Sequence, residues 1–199
     1  KRQGFALYEA KAKGAGSICC FDPEKYAKQK SDIENIRAFS ELLDKNLFTY
    51  HFQPIVSAST GEIVAYEALM RTKGNIALNP LQILNCAKNF GRLYDIEKAT
   101  LKNTLKYLSK HQLDFENRRL YINSISSHAL DDKDFYAIVN DYGELLEKVV
   151  IEMTEQTEIS EDDLDRIRVR LEKNNMSLAI DDYGTGYSNC LLYTSPSPR

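Results

Sequence analysis

Apolar residues recur along the chain with two different spacings, which predict a series of strands and helices. Short apolar or alternating runs at 48–56, 63–70, 119–125, 149–153 and 176–180 are typical of strands. Residues 80–111, 134–148 and 160–173 instead place apolar side chains three or four positions apart, as amphipathic helices do. The first two strands are separated by a hairpin-sized loop that contains Gly61.

The order of these elements predicts the fold class. A hairpin comes first, and helices then alternate with strands, with the helix over 80–111 interrupted near Phe90 and Gly91. This order is typical of an α/β protein whose parallel barrel or sheet includes one antiparallel strand.

The first 47 residues follow a different pattern. Residues 1–13 predict the end of a helix, 17–21 a short buried strand, and 24–47 a charged connecting helix. These pieces cannot form a core by themselves. We therefore expect residues 1–22 to be the tail of an upstream domain and 23–47 to be a linker helix.

The bulk composition is that of a globular chain. Of its residues, 43% are hydrophobic and 28% are charged, and the net charge of −3 gives no electrostatic basis for binding nucleic acid polymers. The sequence contains neither an apolar run of membrane-spanning length nor a signal-peptide pattern at its start. We expect a cytoplasmic domain, whether or not the parent protein is membrane-anchored.

Oxygen-bearing side chains stand near the ends of four predicted strands: Glu67, Asn123, Glu152 and Asp181, the last followed by Asp182 and a glycine-containing turn. Parallel strands deliver such side chains to one edge of a sheet. Converging carboxylates repel each other, so a divalent cation is their natural partner. Taken singly, each has a plainer interpretation, as a solvated glutamate or a turn residue.

Strand alternation divides the acidic residues into two groups. Glu67, Leu69 and Arg71 share one face of their strand, because side chains alternate along a strand. Glu152 and Glu155 have opposite parity, so we expect Glu155 to have a role different from that of Glu152.

The chain resembles the EAL domain, the bacterial phosphodiesterase that linearises cyclic di-GMP. Five segments match its motifs in order within residues 48–189: FQPIV at 52–56, EAL with its following arginine at 67–71, YINS at 121–124, IEMTE at 151–155 and DDYGTGYS at 181–188. The ordered set is specific, whereas the letters EAL alone would carry no information.

The resemblance implies a TIM-type barrel with an antiparallel first strand, and a two-metal site for Mg²⁺ or Mn²⁺. The metals would be held by Glu67, Asn123, Glu152, Asp181 and Asp182, with Glu67 and the two aspartates as the catalytic group. Gln53, Leu69 and Arg71 would contact cyclic di-GMP, and Glu155 would anchor the loop after the paired aspartates. The product would be linear pGpG, and the resemblance allows a homodimer through the EAL domain.

A non-catalytic receptor for cyclic di-GMP is the alternative. Such receptors typically lose one or more metal carboxylates, whereas Glu67, Glu152, Asp181 and Asp182 are intact here. A purely structural barrel would leave these converging carboxylates unexplained. The intact set favours the enzyme.

The two ends of the chain carry separate expectations. Residues 6–14, together with the following predicted strand, are similar to the closing helix and strand of a GGDEF domain, the diguanylate cyclase module. Residues 190–199 have no helical or strand period, and we expect a non-native, adaptor-derived tail there. The last strands of the resembled domain are absent, so we expect the 199-residue chain by itself to be unstable and inactive.

Overall fold

A computed structural model describes residues 8, 10–14, 18–111, 115, 118–125, 128–154 and 161–181. The helices are α1 (Pro23–Asp44), α2 (Pro80–Asn89), α3 (Leu93–Lys110), α4 (Asp132–Tyr142), a 3₁₀ helix (Gly143–Lys148) and α5 (Glu161–Lys173). The strands are β1 (Phe48–Val56), β2 (Ile63–Thr72), β3 (Arg119–Asn123), β4 (Val149–Thr154) and β5 (Ser177–Asp181).

The five strands form one sheet in the order β1-β2-β3-β4-β5. β1 pairs antiparallel to β2, and each later pair of neighbours is parallel. The predicted hairpin followed by α/β units is therefore confirmed, and the sheet is consistent with part of a TIM-like barrel. The later strands are parallel because each crossover helix carries the chain back to the end of the sheet at which the previous strand began.

The core lies between the helices and one face of this sheet. Leu120 is fully buried and Ile122 nearly so on β3, and both pack with Leu105 and Leu108 of α3. Side chains alternate along each strand, so the residues between these positions point to the other face of the sheet. That second face carries polar side chains such as Asn123 and Glu152 together with buried apolar ones such as Val150.

The break between α2 and α3 falls where the sequence predicts it. Asn79 begins α2 with a reciprocal capping box, and Phe90 is its C-cap. Gly91 has a φ of 63°, a left-handed conformation that favours glycine, and the Arg92 N–H then bonds back to the Ala87 carbonyl at 2.7 Å. This turn lets α3 start in a new direction.

The helix predicted over 24–47 is confirmed as α1, and its C-terminal half is part of the core. Asp22 caps its start by accepting hydrogen bonds from the backbone of Glu24 and Lys25. Phe39 is 3% exposed and Leu42 is completely buried near its end. Within the described ranges, each helix is too short or too polar to cross a bilayer.

Three sequence predictions need correction. The strand expected at 17–21 is wrong for its described residues, since 18–21 are irregular and Ile18 is 92% exposed. A strand needs a hydrogen-bonded neighbour, and the described sheet ends at β1 and β5. The similarity of residues 6–14 to a GGDEF domain stays a prediction, because most of residues 1–9 lie outside the described ranges.

The second correction concerns the helix expected over 134–148, which is α-helical only to Tyr142 and 3₁₀ from Gly143 onward. The tighter helix buries both Leu145 and Leu146 just before β4. The third concerns β3, which ends at Asn123 rather than at residue 125.

Candidate metal centre

Four of the predicted ligands lie on four adjacent strands, three of them at or near the C-terminal end and Glu67 in the middle of its strand. Glu67 belongs to β2, Asn123 ends β3, Glu152 belongs to β4 and Asp181 ends β5. Asn123 stands directly beside Glu152 in the parallel register, and Asp181 stands beside position 154 of β4. The pairing of these four strands in one sheet therefore brings the four residues onto neighbouring strands.

One direct contact joins two of the ligands. The Asn123 side chain donates an N–H to Glu67 Oε1 at 2.9 Å, although the two residues are 56 positions apart. Because the amide nitrogen is used in this bond, the amide oxygen is the atom left for a cation. Asn123 thus links β2 to β3 on the second face of the sheet.

The Glu152 carboxyl is affected by the charges of two other predicted ligands. Burial, together with the negative charges of Glu67 and Asp181, raises the pKa of the Glu152 carboxyl to about 7. A bound cation would remove this repulsion and hold Glu152 ionised. Oxygen donors of this kind suit Mg²⁺ or Mn²⁺, so the donor set fits the predicted metals.

The described side chains do not complete such a site by themselves. In the part of the chain that the structure describes, no three His, Cys, Asp or Glu side chains are close enough together to hold a metal ion. Asp182 and Glu155 lie outside the described residues. Their predicted roles as a ligand and a loop anchor stay predictions.

The predicted substrate residues lie next to the ligands. Gln53 of β1 is exposed and stands opposite Glu67 in the antiparallel register. Leu69 and Arg71 follow Glu67 on the same face of β2 and line a groove of about 470 Å³ that reaches Asn123. The Arg71 guanidinium donates to the Met70 carbonyl at 2.7 Å.

Residues 36–195 match the family model of the EAL domain. The chain belongs to the EAL family. Its most similar relatives include MucR of Pseudomonas aeruginosa, a bifunctional diguanylate cyclase/cyclic di-GMP phosphodiesterase that is 26% identical over 97% of this chain. The chain spans 29% of the length of MucR and similarly small shares of the next relatives, 25% and 29%.

Solved EAL structures share the fold. The phosphodiesterase of P. aeruginosa MucR in complex with cyclic di-GMP aligns with a TM-score of 0.62 and 22% identity, over 80% of this chain and 68% of its own. Klebsiella pneumoniae BlrP1 in a manganese/cyclic di-GMP complex aligns with a TM-score of 0.61 and 22% identity, over 75% of this chain and 39% of its own. At these identities the likeness shows the fold.

A further acidic residue of this EAL domain was missed by sequence reasoning. Glu97 of α3 accepts hydrogen bonds from the Ser124 hydroxyl at 2.6 Å and from the Ile125 backbone N–H at 2.7 Å. Burial raises the pKa of the Glu97 carboxyl, and these two hydrogen bonds oppose that effect. The sequence signal was its spacing, since Glu97 lies four residues before Leu101 on the buried stripe of the helix.

Replacing Glu152 by glutamine is expected to stabilise the metal-free EAL domain at high pH. The folded-state pKa of Glu152, about 7, lies above its ordinary value of 4.5, so ionisation destabilises the wild type as pH rises between these values. The glutamine variant has no such ionisation. Because Glu152 is half-exposed, we expect a gain of only about 1 kcal/mol, or a Tm rise of about 2–4 °C.

Thermal unfolding in EDTA at pH 5 and pH 8 measures this effect. The Tm difference between Glu152→Gln and wild type should be larger at pH 8 than at pH 5. An equal Tm difference at both pH values would show that the pKa of the Glu152 carboxyl is not raised in the folded protein.

Proposed function

We propose that the protein containing this EAL domain hydrolyses cyclic di-GMP to linear pGpG with Mg²⁺ or Mn²⁺. The observation that carries the proposal is the contact between Asn123 and Glu67, beside a Glu152 carboxyl whose pKa is raised by burial and by the charges of Glu67 and Asp181. These residues sit on adjacent strands of an EAL sheet. Phosphodiesterase activity in the name of MucR, and cyclic di-GMP in the solved complexes, support the same substrate.

Each residue has a defined part in this proposal. Glu67, Asn123, Glu152 and Asp181, with Asp182, would hold the metals. When bound, two such cations lower the pKa of a shared water and stabilise negative charge on the phosphate. Arg71 presents a planar, permanently charged fork to a phosphate once it leaves the Met70 carbonyl. Gln53 contacts a guanine edge, Leu69 lines the nucleotide groove, and Glu155 anchors the loop after the aspartates.

The side chains around Arg71 indicate what kind of ligand the groove could bind. Its neighbours at the groove wall include the exposed Lys88 of α2 and the apolar Leu84 and Ile96. A groove with an apolar floor and two cations matches a nucleotide, which has a flat apolar base and an anionic phosphate. This match supports a substrate position beside the metal ligands.

The deciding experiment uses the full-length protein with cyclic di-GMP and either Mn²⁺ or Mg²⁺. Chromatography should show pGpG accumulating with the metal and no product after EDTA treatment. Binding of cyclic di-GMP without any hydrolysis would instead support the receptor alternative. Hydrolysis that continues in EDTA would contradict the metal assignment.

A further inference from the structure

The Glu97 carboxylate holds the chain immediately after a proposed metal ligand. Its two oxygens accept from two consecutive residues, the Ser124 hydroxyl at 2.6 Å and the Ile125 N–H at 2.7 Å. These residues directly follow Asn123, the last residue of β3. The contact therefore sets where β3 stops and how the chain leaves it.

Ser124 lies at the junction of two ligand-bearing strands. Its backbone N–H donates to the Glu152 carbonyl at 2.9 Å, and the preceding Asn123 donates its side-chain N–H to Glu67 at 2.9 Å. A displacement of Ser124 would move the Asn123 side chain relative to both Glu67 and Glu152. Glu97 thus acts on three proposed ligands through one short segment.

A carboxylate at position 97 suits the two donors that it contacts. An ionised carboxylate only accepts hydrogen bonds, and its two oxygens match one O–H and one N–H donor. Glu97 is partly buried, and among the described residues its side-chain partners are these two donors, with no salt bridge to a described cation. A glutamine in its place has no negative charge, and its NH₂ group would either lose the Ile125 N–H or replace the charge-assisted bond from Ser124 by a weaker one in which the Ser124 hydroxyl accepts.

We propose that Glu97 is a positioning residue of the metal site, which fixes the Asn123 amide by clamping Ser124 and Ile125. This inference rests on the proposed function, since it assumes that Asn123 is a metal ligand. Hydrogen-bonded supports of metal ligands commonly change metal affinity by about 10–100-fold when they are removed.

The test measures Mn²⁺ binding by calorimetry, without substrate, in the full-length protein. We expect Glu97→Gln to weaken Mn²⁺ binding by about tenfold or more, and Ser124→Ala, which removes only one of the two bonds, to weaken it less. Asp134→Asn is the matched control. Asp134 also ties α3 to the chain after β3, accepting from Tyr94 at 2.7 Å and from Lys98 at 2.8 Å, but farther from Asn123 in sequence.

The outcomes distinguish the positioning role of Glu97 from the proposed function. If Glu97→Gln and Ser124→Ala bind Mn²⁺ as the wild type does, the positioning role is wrong and the proposed function stands. An equal loss of Mn²⁺ affinity in Asp134→Asn would also overturn it, because a general loosening of the segment would then explain the effect. A wild-type protein that binds no Mn²⁺ or Mg²⁺ would overturn both the positioning role and the proposed function.

Discussion

Replacing Glu67 by alanine is expected to lower the rate of cyclic di-GMP hydrolysis by about a thousandfold, comparable to the loss of a main stabiliser of transition-state charge. Glu67 would be a metal ligand itself, and it accepts the 2.9 Å hydrogen bond from Asn123. The substitution therefore removes one ligand and deprives a second, Asn123, of its hydrogen-bond acceptor. Initial rates of pGpG formation at saturating Mn²⁺ measure the effect.

The control for this variant is Glu62→Ala in the loop between β1 and β2. Glu62 is an exposed acidic residue on the same hairpin, and its substitution should leave the rate unchanged. The metal-free Glu67→Ala protein should keep its Tm, since the lost carboxylate is one of the charges that raise the pKa of Glu152. Hydrolysis at the wild-type rate in Glu67→Ala would mean that the metal ligands are wrongly assigned.

The sequence predicted what depends on local periodicity. Strand alternation placed Glu67, Leu69 and Arg71 on one face, and the structure has a regular strand over Ile63–Thr72, as that prediction requires. Glycine chemistry placed the break between α2 and α3 at Gly91, where φ is 63°. In both cases the signal lies within a few residues of the feature that it predicts.

What the sequence did not predict depends on partners far away along the chain. Glu97 meets Ser124 across 27 positions, and neither residue carries a local pattern that names the other. The strand expected at 17–21 failed for the same reason, because an apolar run becomes a strand only beside a pairing edge. The change to 3₁₀ geometry at Gly143 serves to bury Leu145 and Leu146, which is a demand of packing rather than of propensity.

Arg170 shows the same long-range dependence, because its partners are about 40 residues away. The side chain is 8% exposed and donates to the Leu130 carbonyl at 2.5 Å and to Asp132 at 2.7 Å. Its guanidinium carbon also lies 4.5 Å from the centre of the Phe135 ring. Arg170 of α5 therefore secures the start of α4, the far end of the segment that Glu97 holds near β3.

Replacing Arg170 by alanine is expected to lower the free energy of unfolding by about 3 kcal/mol. The substitution leaves the carbonyl of the buried Leu130 without its donor, and it removes the contact with Phe135 and the buried stem of the side chain. The loss of the ion pair itself contributes little, because Asp132 is 72% exposed. Urea unfolding of the full-length protein, followed by circular dichroism, measures the change.

The matched control is Arg168→Ala on the same helix. Arg168 is 60% exposed and reaches Asp165 and Glu172 only at 3.9 Å, so its removal should change the unfolding free energy by less than about 0.5 kcal/mol. A cost for Arg170→Ala as small as that of the control would show that the segment after β3 is held without Arg170. A large cost confined to Arg170→Ala would instead show that α5 secures the start of α4, within the segment that follows β3.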